Sequence, residues 1–287
     1  MSGRFTDIES RSLGTPLYHY TSLEVFAQIM NTEKMFASHA AYMNDGSELE
    51  YGFDILKGFL REKISSLAGR EKAIVEAILS LIDAQSIPET PVFLLSFSEN
   101  GNLLSQWQAY TPHGRGISIG FDHVALIQRS IRAGWVWRGC RYKTESQKAW
   151  VEVILTRILS EAASATMLSP SDAALQTFTN LRGELYSVAA CVKHPAFAAE
   201  VEWRLVSPPI DLKDKRVKFR SGRTTLIPYV EFELCDKECP NVHIAECWIG
   251  PTTNVNHTSA VINAIRWQAG ITGPIAIRNS QIPFRQI

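Results

Sequence analysis

The stretch AEVEWRLVS carries Glu200, Glu202 and Arg204 at alternate positions. In an extended chain successive side chains point to opposite faces, so two carboxylates and a guanidinium project together while Val201, Trp203 and Leu205 take the other side. Such a face can be a solvated row with a cross-strand ion pair, or it can hold a carboxylate beside a bound cationic or ribosyl group. A second group stands near the start of the sequence. LYHYTS puts His19, Tyr20 and Thr21 behind an apolar pair and before the helical pattern LEVFAQIM. At a strand-to-helix corner these residues offer a ring nitrogen, hydroxyls and backbone donors to one ligand; the plainer reading is a packing histidine and a helix cap.

Other residues could join them. PVFLLSFS ends in Ser96 and Ser98, and Trp107 and Tyr110 follow three residues apart, the spacing of one helical face, for core packing or for stacking on a planar ligand. Arg115 between two glycines could meet an anion or simply face solvent. GRGISIGF lacks the G-x-G-x-x-G order, and no G-x-x-x-x-G-K-[ST] occurs, so neither a Rossmann nor a P-loop site is supported. Cys235, Cys239, His243 and Cys247 stand at four-residue steps, but Pro240 and the β-like IAECWIGP break a helix there, and a turn with unlinked thiols is the better reading. No G-x-S-x-G elbow is present. KRVKFRSGR, 215–223, is the best basic strip, either a nucleic-acid contact or a solvated strand and turn.

The elements that must position these groups alternate in type. PLYHY and KMFAS read as short strands around a helix at 23–30; a long helix follows from Glu48 and another covers 70–84. Strands are expected at 91–98, 114–121 and 134–142, with a helix starting near Asp122. Helices at about 145–165 and 171–190 form an α-rich middle, a helical insertion over about 144–190. Beyond it strands fall at 200–207, 216–221, 224–234, 242–249 and 274–279, with a helix at 256–268. This order predicts one α+β domain over 16–287, a mixed or antiparallel β core wrapped by helices, behind a flexible lead at 1–15.

Lys plus Arg and Asp plus Glu both number 29, so no global basic field points to nucleic acid or membrane. The polar opening MSGRFTDIESRSLG lacks an apolar core, and no stretch approaches the roughly 18 apolar residues of a membrane span. With 5 cysteines the expectation is a cytoplasmic chain with reduced thiols and no structural disulfide.

Taken in order, LYHYTS, MNDGSELEYG, LSFSENGNLLSQWQAYTPHGRGISIGFD, FAAEVEWRL, WIGP and IRNSQIPFR resemble the bacterial domain of unknown function numbered 2971. That family typically has Asn-Asp-Pro followed by a Glu, then Ser-Phe-Ser, Trp-x-x-Tyr and Gly-x-x-x-Gly-Phe. Here Gly46 replaces the usual Pro, and Gln106 to Ala109 replace a Met-Trp-Ala-His style segment. More remotely, the opening resembles the first motif of the His-Tyr-Glu class of ADP-ribosyltransferases. That resemblance implies an ADP-ribosyltransferase-like fold with NAD as substrate and a nucleic-acid or protein acceptor, in a bacterial defence or toxin effector. It implies that His19, with Tyr20 and Thr21, holds the nicotinamide ribose and amide, and that Tyr51 stacks on nicotinamide, with Tyr42 and Tyr110 as competitors. It further implies that Glu202 or Glu200 bonds the ribose 2′-hydroxyl, and that Arg204 or Arg115 meets the pyrophosphate. The alternative is a non-enzymatic module that senses a nucleotide or a partner protein in the same cleft.

Overall fold

The computed structural model describes residues 15–43, 47–84, 91–222, 224–268 and 275–284. Strand β1 (Leu17–Thr21) leads into α1 (Leu23–Thr32), whose cap is Ser22, its hydroxyl accepting from the Val25 amide. Ser22 rather than Thr21 takes this role because Thr21 is still in the strand. β2 (Lys34–His39), α2 (Ser47–Ile64), α3 (Gly69–Ala84) and β3 (Phe93–Ser98) follow. Next come the short helix α4 (Leu104–Tyr110), β4 (Ile117–Phe121), α5 (His123–Arg132) and β5 (Val136–Gly139). The α-rich middle is α6 (Thr144–Ala163) and α7 (Pro170–Ala189). The chain then forms β6 (Glu202–Val206), β7 (Lys218–Ser221), β8 (Leu226–Glu233), β9 (Ile244–Ile249), α8 (Val255–Gln268) and β10 (Ala276–Asn279).

The 10 strands among the described residues join one sheet in the order β10-β9-β4-β1-β3-β2-β8-β7, with β6 beside β3 and β5 beside β6. Every pairing is antiparallel except β10 with β9, so the sheet is mixed. β3 is the branch point. β6 runs along one of its edges from Leu94 to Ser98, while the other edge is shared by β2, at Phe93 and Leu94, and β1, at Ser98 alone. β1 and β3 therefore diverge after one pair, and the β3 backbone around Ser96 faces a gap.

Helices cover both faces. α2, α3, α6 and α7 pack together against Leu94 and Val206 through Leu56, Val75, Ile78, Ile154 and Leu181. On the opposite face Phe26 of α1, Leu126 of α5 and Ile262 of α8 cover Leu95, Phe97, Trp137 and Leu205. Each such buried side chain contributes about 1.5–3 kcal/mol, so these two apolar layers dominate what holds the sheet. A smaller cluster sets Trp107 of α4 on Tyr18 and Tyr20.

Local geometry shortens several of the expected strands. β4 begins at Ile117 because Pro112–Gly114 form a 3-10 turn with His113 and Gly114 at positive φ. β6 begins at Glu202, not at 200: Pro195–Glu200 form a 3-10 turn and Val201, at φ 42°, is left-handed. Glu200 is thus a turn residue and does not share the strand register of Glu202 and Arg204.

Candidate functional site

The register of the sheet sets the chemistry of one face. Ser98 opposes Glu202 and Ser96 opposes Arg204 across β3–β6, while Tyr18 opposes Ser98 across β1–β3. These side chains therefore rise from one face, between the α4 cluster and the helical layer. The row is not a solvated strand face: Glu202 is 5% exposed and Arg204 3%.

Burial on this scale demands partners, and the helix ends supply them. Glu48 stands in the first turn of α2, where the helix dipole favours an anion. Lys193 follows the end of α7, its backbone tied to Arg141 and to the Gln147 amide. The Lys193 Nζ contacts Glu48 at 2.9 Å, Glu200 at 2.6 Å and Glu202 at 2.8 Å. Arg204 donates from Nε to Glu202 at 2.8 Å and from its terminal nitrogens to Glu202 at 3.0 Å, to Glu48 and to the Ala190 carbonyl at the end of α7. Three carboxylates thus face two cations, and the cluster keeps a formal charge of −1.

The two glutamates are pushed apart in acidity. Burial raises the Glu202 carboxyl, but Arg204 and then Lys193 outweigh it and hold the group at about 2. Burial also acts on Glu200, and there it prevails over the hydrogen bond and charge of Lys193, so this carboxyl is raised. Among the described residues the Glu200 side chain has one hydrogen-bond partner, Lys193, whereas both oxygens of Glu202 are engaged. Burial disfavours the Lys193 cation, yet Glu202 and its neighbours raise its pKa overall.

Glu200 and Glu202 line a cleft shared with His19, Ser96, Ser98 and Tyr110. The gap between β1 and β3 lets the His19 ring reach Ser96, with Nδ1 3.0 Å from the Ser96 carbonyl oxygen. A carbonyl only accepts, so Nδ1 carries the proton and Nε2 is left as an acceptor. Burial lowers the His19 pKa, against the pull of that hydrogen bond, and keeps the ring neutral. The Ser96 hydroxyl is buried and has no hydrogen-bond partner among the described residues. Ser98 Oγ is occupied, donating to the Glu200 carbonyl at 2.7 Å and accepting from the Asn100 amide at 3.1 Å, so it fixes the Glu200 turn. Tyr110 looks onto the charge cluster from α4; burial first, then Glu202, raises its phenol.

The other residues singled out in the sequence fall elsewhere or serve packing. Tyr20 lines the cleft, but its hydroxyl pins the loop before α4, donating to the Asn100 carbonyl at 2.7 Å and accepting from the Leu103 amide at 2.8 Å. Trp107 is fully buried, edge-on to Tyr20 at 4.9 Å. Thr21 is buried at the end of β1 and does not line the cleft. Tyr51, on α2, packs against His194 at 5.7 Å outside the lining, and Arg115 is exposed beyond it. Gly46 and the Asn-Asp before it lie outside the described residues. No group of three or more His, Cys, Asp or Glu among the described residues is arranged to hold a metal, and the five cysteines are unlinked.

Two members of the cluster were missed by sequence reasoning. Lys193 ends the apolar run VAACVK, where a lone cation signals a buried partner, and Glu48 opens α2 directly after the MNDGS motif.

The fold and site define a mixed α/β domain with a narrow, anionic cleft at a split in its sheet. Residues 106–205 match the sequence profile of the family described as Protein of unknown function (DUF2971). The match runs from α4 into β6, so it takes in Tyr110, Lys193, Glu200, Glu202 and Arg204 but not His19 or Ser96. No curated protein and no solved structure matches the chain. No helix among the described residues is long and apolar enough to cross a membrane.

Proposed function

We propose that the chain is an ADP-ribosyltransferase-like protein of the DUF2971 family that cleaves NAD at its nicotinamide–ribose bond and passes the ADP-ribosyl group to nucleic acid or protein. The observation that carries this reading is the convergence of His19 with Glu200 and Glu202 in one cleft that retains negative charge. Departure of nicotinamide takes the electron pair of the bond from ribose C1′ and leaves an oxocarbenium-like cation, which an anionic, water-poor site stabilises. Glu202, fixed as a carboxylate, supplies the field. Glu200, with its raised pKa and single partner, is suited to accept the proton of the attacking acceptor group. His19 Nε2 and the unpartnered Ser96 hydroxyl offer an acceptor and a donor to ribose hydroxyls or the amide.

The enclosed part of the cleft holds about 30 Å³, room for a water or two, and about 320 Å³ counted out to its mouth. The larger figure is at the small end of the roughly 300–1,000 Å³ of small-molecule sites. Entry of a nicotinamide ring therefore calls for the cleft to widen. For a nucleic-acid acceptor the basic strip is weaker than its composition suggests, since Arg216 pairs with Asp214 at 2.7 Å and Lys218 with Glu231 at 2.6 Å.

Nicotinamide release by purified wild type, Glu200→Gln and His19→Ala, with DNA, RNA and lysate protein as acceptors, tests the reading. Each variant is expected to lose about 100-fold or more in release with little change in melting temperature, in line with removal of a general acid–base group; full release in both would overturn the assignment. With Glu200 as base, the acid limb of the rate profile falls above the ordinary glutamate value of 4.5. The engagement of both Glu202 oxygens favours a second reading, a nucleotide-sensing module without turnover. Stabilisation by NAD with no nicotinamide released would select it.

A further inference from the structure

A larger cavity, about 260 Å³, lies away from the cleft and shares no lining residue with it. It opens between α6, α7 and the ends of β5 and β6. Its walls are mixed: Val136, Leu181, Val206, Pro208 and Pro209 supply an apolar side, and Asn180, Ser187 and Ser207 join the charged groups on the polar one. Gly183 lets α7 approach this wall, because a Cβ there would fall 2.3 Å from Pro209 Cγ.

The polar groups within it are unbalanced. Arg138 is 4% exposed; its Nε donates to Ser187 Oγ at 2.8 Å and its guanidinium lies 5.6 Å from the Trp150 ring centre. The Glu184 carboxylate is 3.9 Å from a terminal nitrogen, beyond hydrogen-bond reach, so the terminal nitrogens of this buried fork donate to no acceptor among the described residues. Arg157 at the rim pairs with the same Glu184. Two guanidinium groups thus share one carboxylate, leaving a formal charge of +1 among the lining side chains. These nitrogens open to the cavity, and a planar guanidinium fork matches carboxylate and phosphate oxygens.

We propose that this cavity is a binding site for a small organic anion, a carboxylate or phosphate on a compact apolar body. Arg138 grips the anionic group, Arg157 guards the entrance, and the proline and aliphatic walls take the body. The volume suits a single ring bearing one such group.

Calorimetric titration of the intact chain with phenyl phosphate, benzoate and inorganic phosphate tests the proposal. Saturable binding of at least one aromatic anion by wild type is expected, and the tighter of the two names the anionic group. Arg157→Gln and Arg138→Met should each weaken it about tenfold or more, the loss expected for a charge-assisted contact. If Arg138→Met fails to fold, Arg157→Gln decides. No saturable binding of any probe, a response to inorganic phosphate alone, or undiminished binding by Arg157→Gln would overturn the proposal.

Discussion

Replacing Lys193 with Met would leave Glu48, Glu200 and Glu202 facing Arg204 alone. Removing one partner of a buried ionic group strands the others, so Lys193→Met is expected to lose about 3–5 kcal/mol in urea unfolding. Acid should act on the same cluster. Glu202 falls from 4.5 to about 2 on folding, so it stabilises the fold above its unfolded value, and about 3 kcal/mol is lost as pH drops from about 4.5 towards 2. Glu200 is raised and runs the other way, favouring the fold at low pH and losing that contribution as pH rises through its folded value, so it offsets part of the change. Melting temperatures of wild type and Glu202→Gln across that window check this: the wild-type slope should be the steeper. Much of this cluster was legible in the alternation of Glu202 and Arg204, and His19 was visible from its corner. What could not be read was burial, because an E-x-R strand face looks the same in solvent as beneath four helices until Lys193 and Glu48 are brought in from distant segments.

α2 owes its position to Gly52, where a Cβ would meet the Ala189 carbonyl oxygen of α7 at 1.9 Å. Backbone cannot yield as a flexible side chain does. Gly52→Ala is therefore expected to destabilise by about 1–3 kcal/mol or more through overpacking, despite alanine's better helix propensity, and chemical denaturation measures it. Because α2 also delivers Glu48, the same substitution should loosen the Lys193 cluster. The long helices were legible from their periodicity, and α6 and α7 fall within a residue or two of the expected limits. Strand starts were less so, since left-handed residues such as His113 and Val201 end a turn without any glycine or proline at the position itself to announce it. The packing of α6 and α7 with α2 and α3 into one layer depends on contacts across more than a hundred residues, which local pattern does not contain.

The sheet is open and branched, with β10, β7 and β5 as its edge strands. An open edge presents unpaired amides and carbonyls, and β7 is exposed along its whole length, with Phe219 59% exposed. Lys218 and Arg220 flank that phenylalanine, on a strand only four residues long. Short length and positive charge are how sheet edges avoid templating another chain. The segment that reads as a basic strip for a polyanion is therefore also a guard against self-association. Lys218→Val with Arg220→Val should leave the unfolding transition nearly unchanged while light scattering reports growth of larger species; unchanged scattering would assign those charges to a partner instead. A chain with equal numbers of acidic and basic residues has no overall repulsion to keep its copies apart near neutral pH, so local charges at an exposed edge strand carry more weight there.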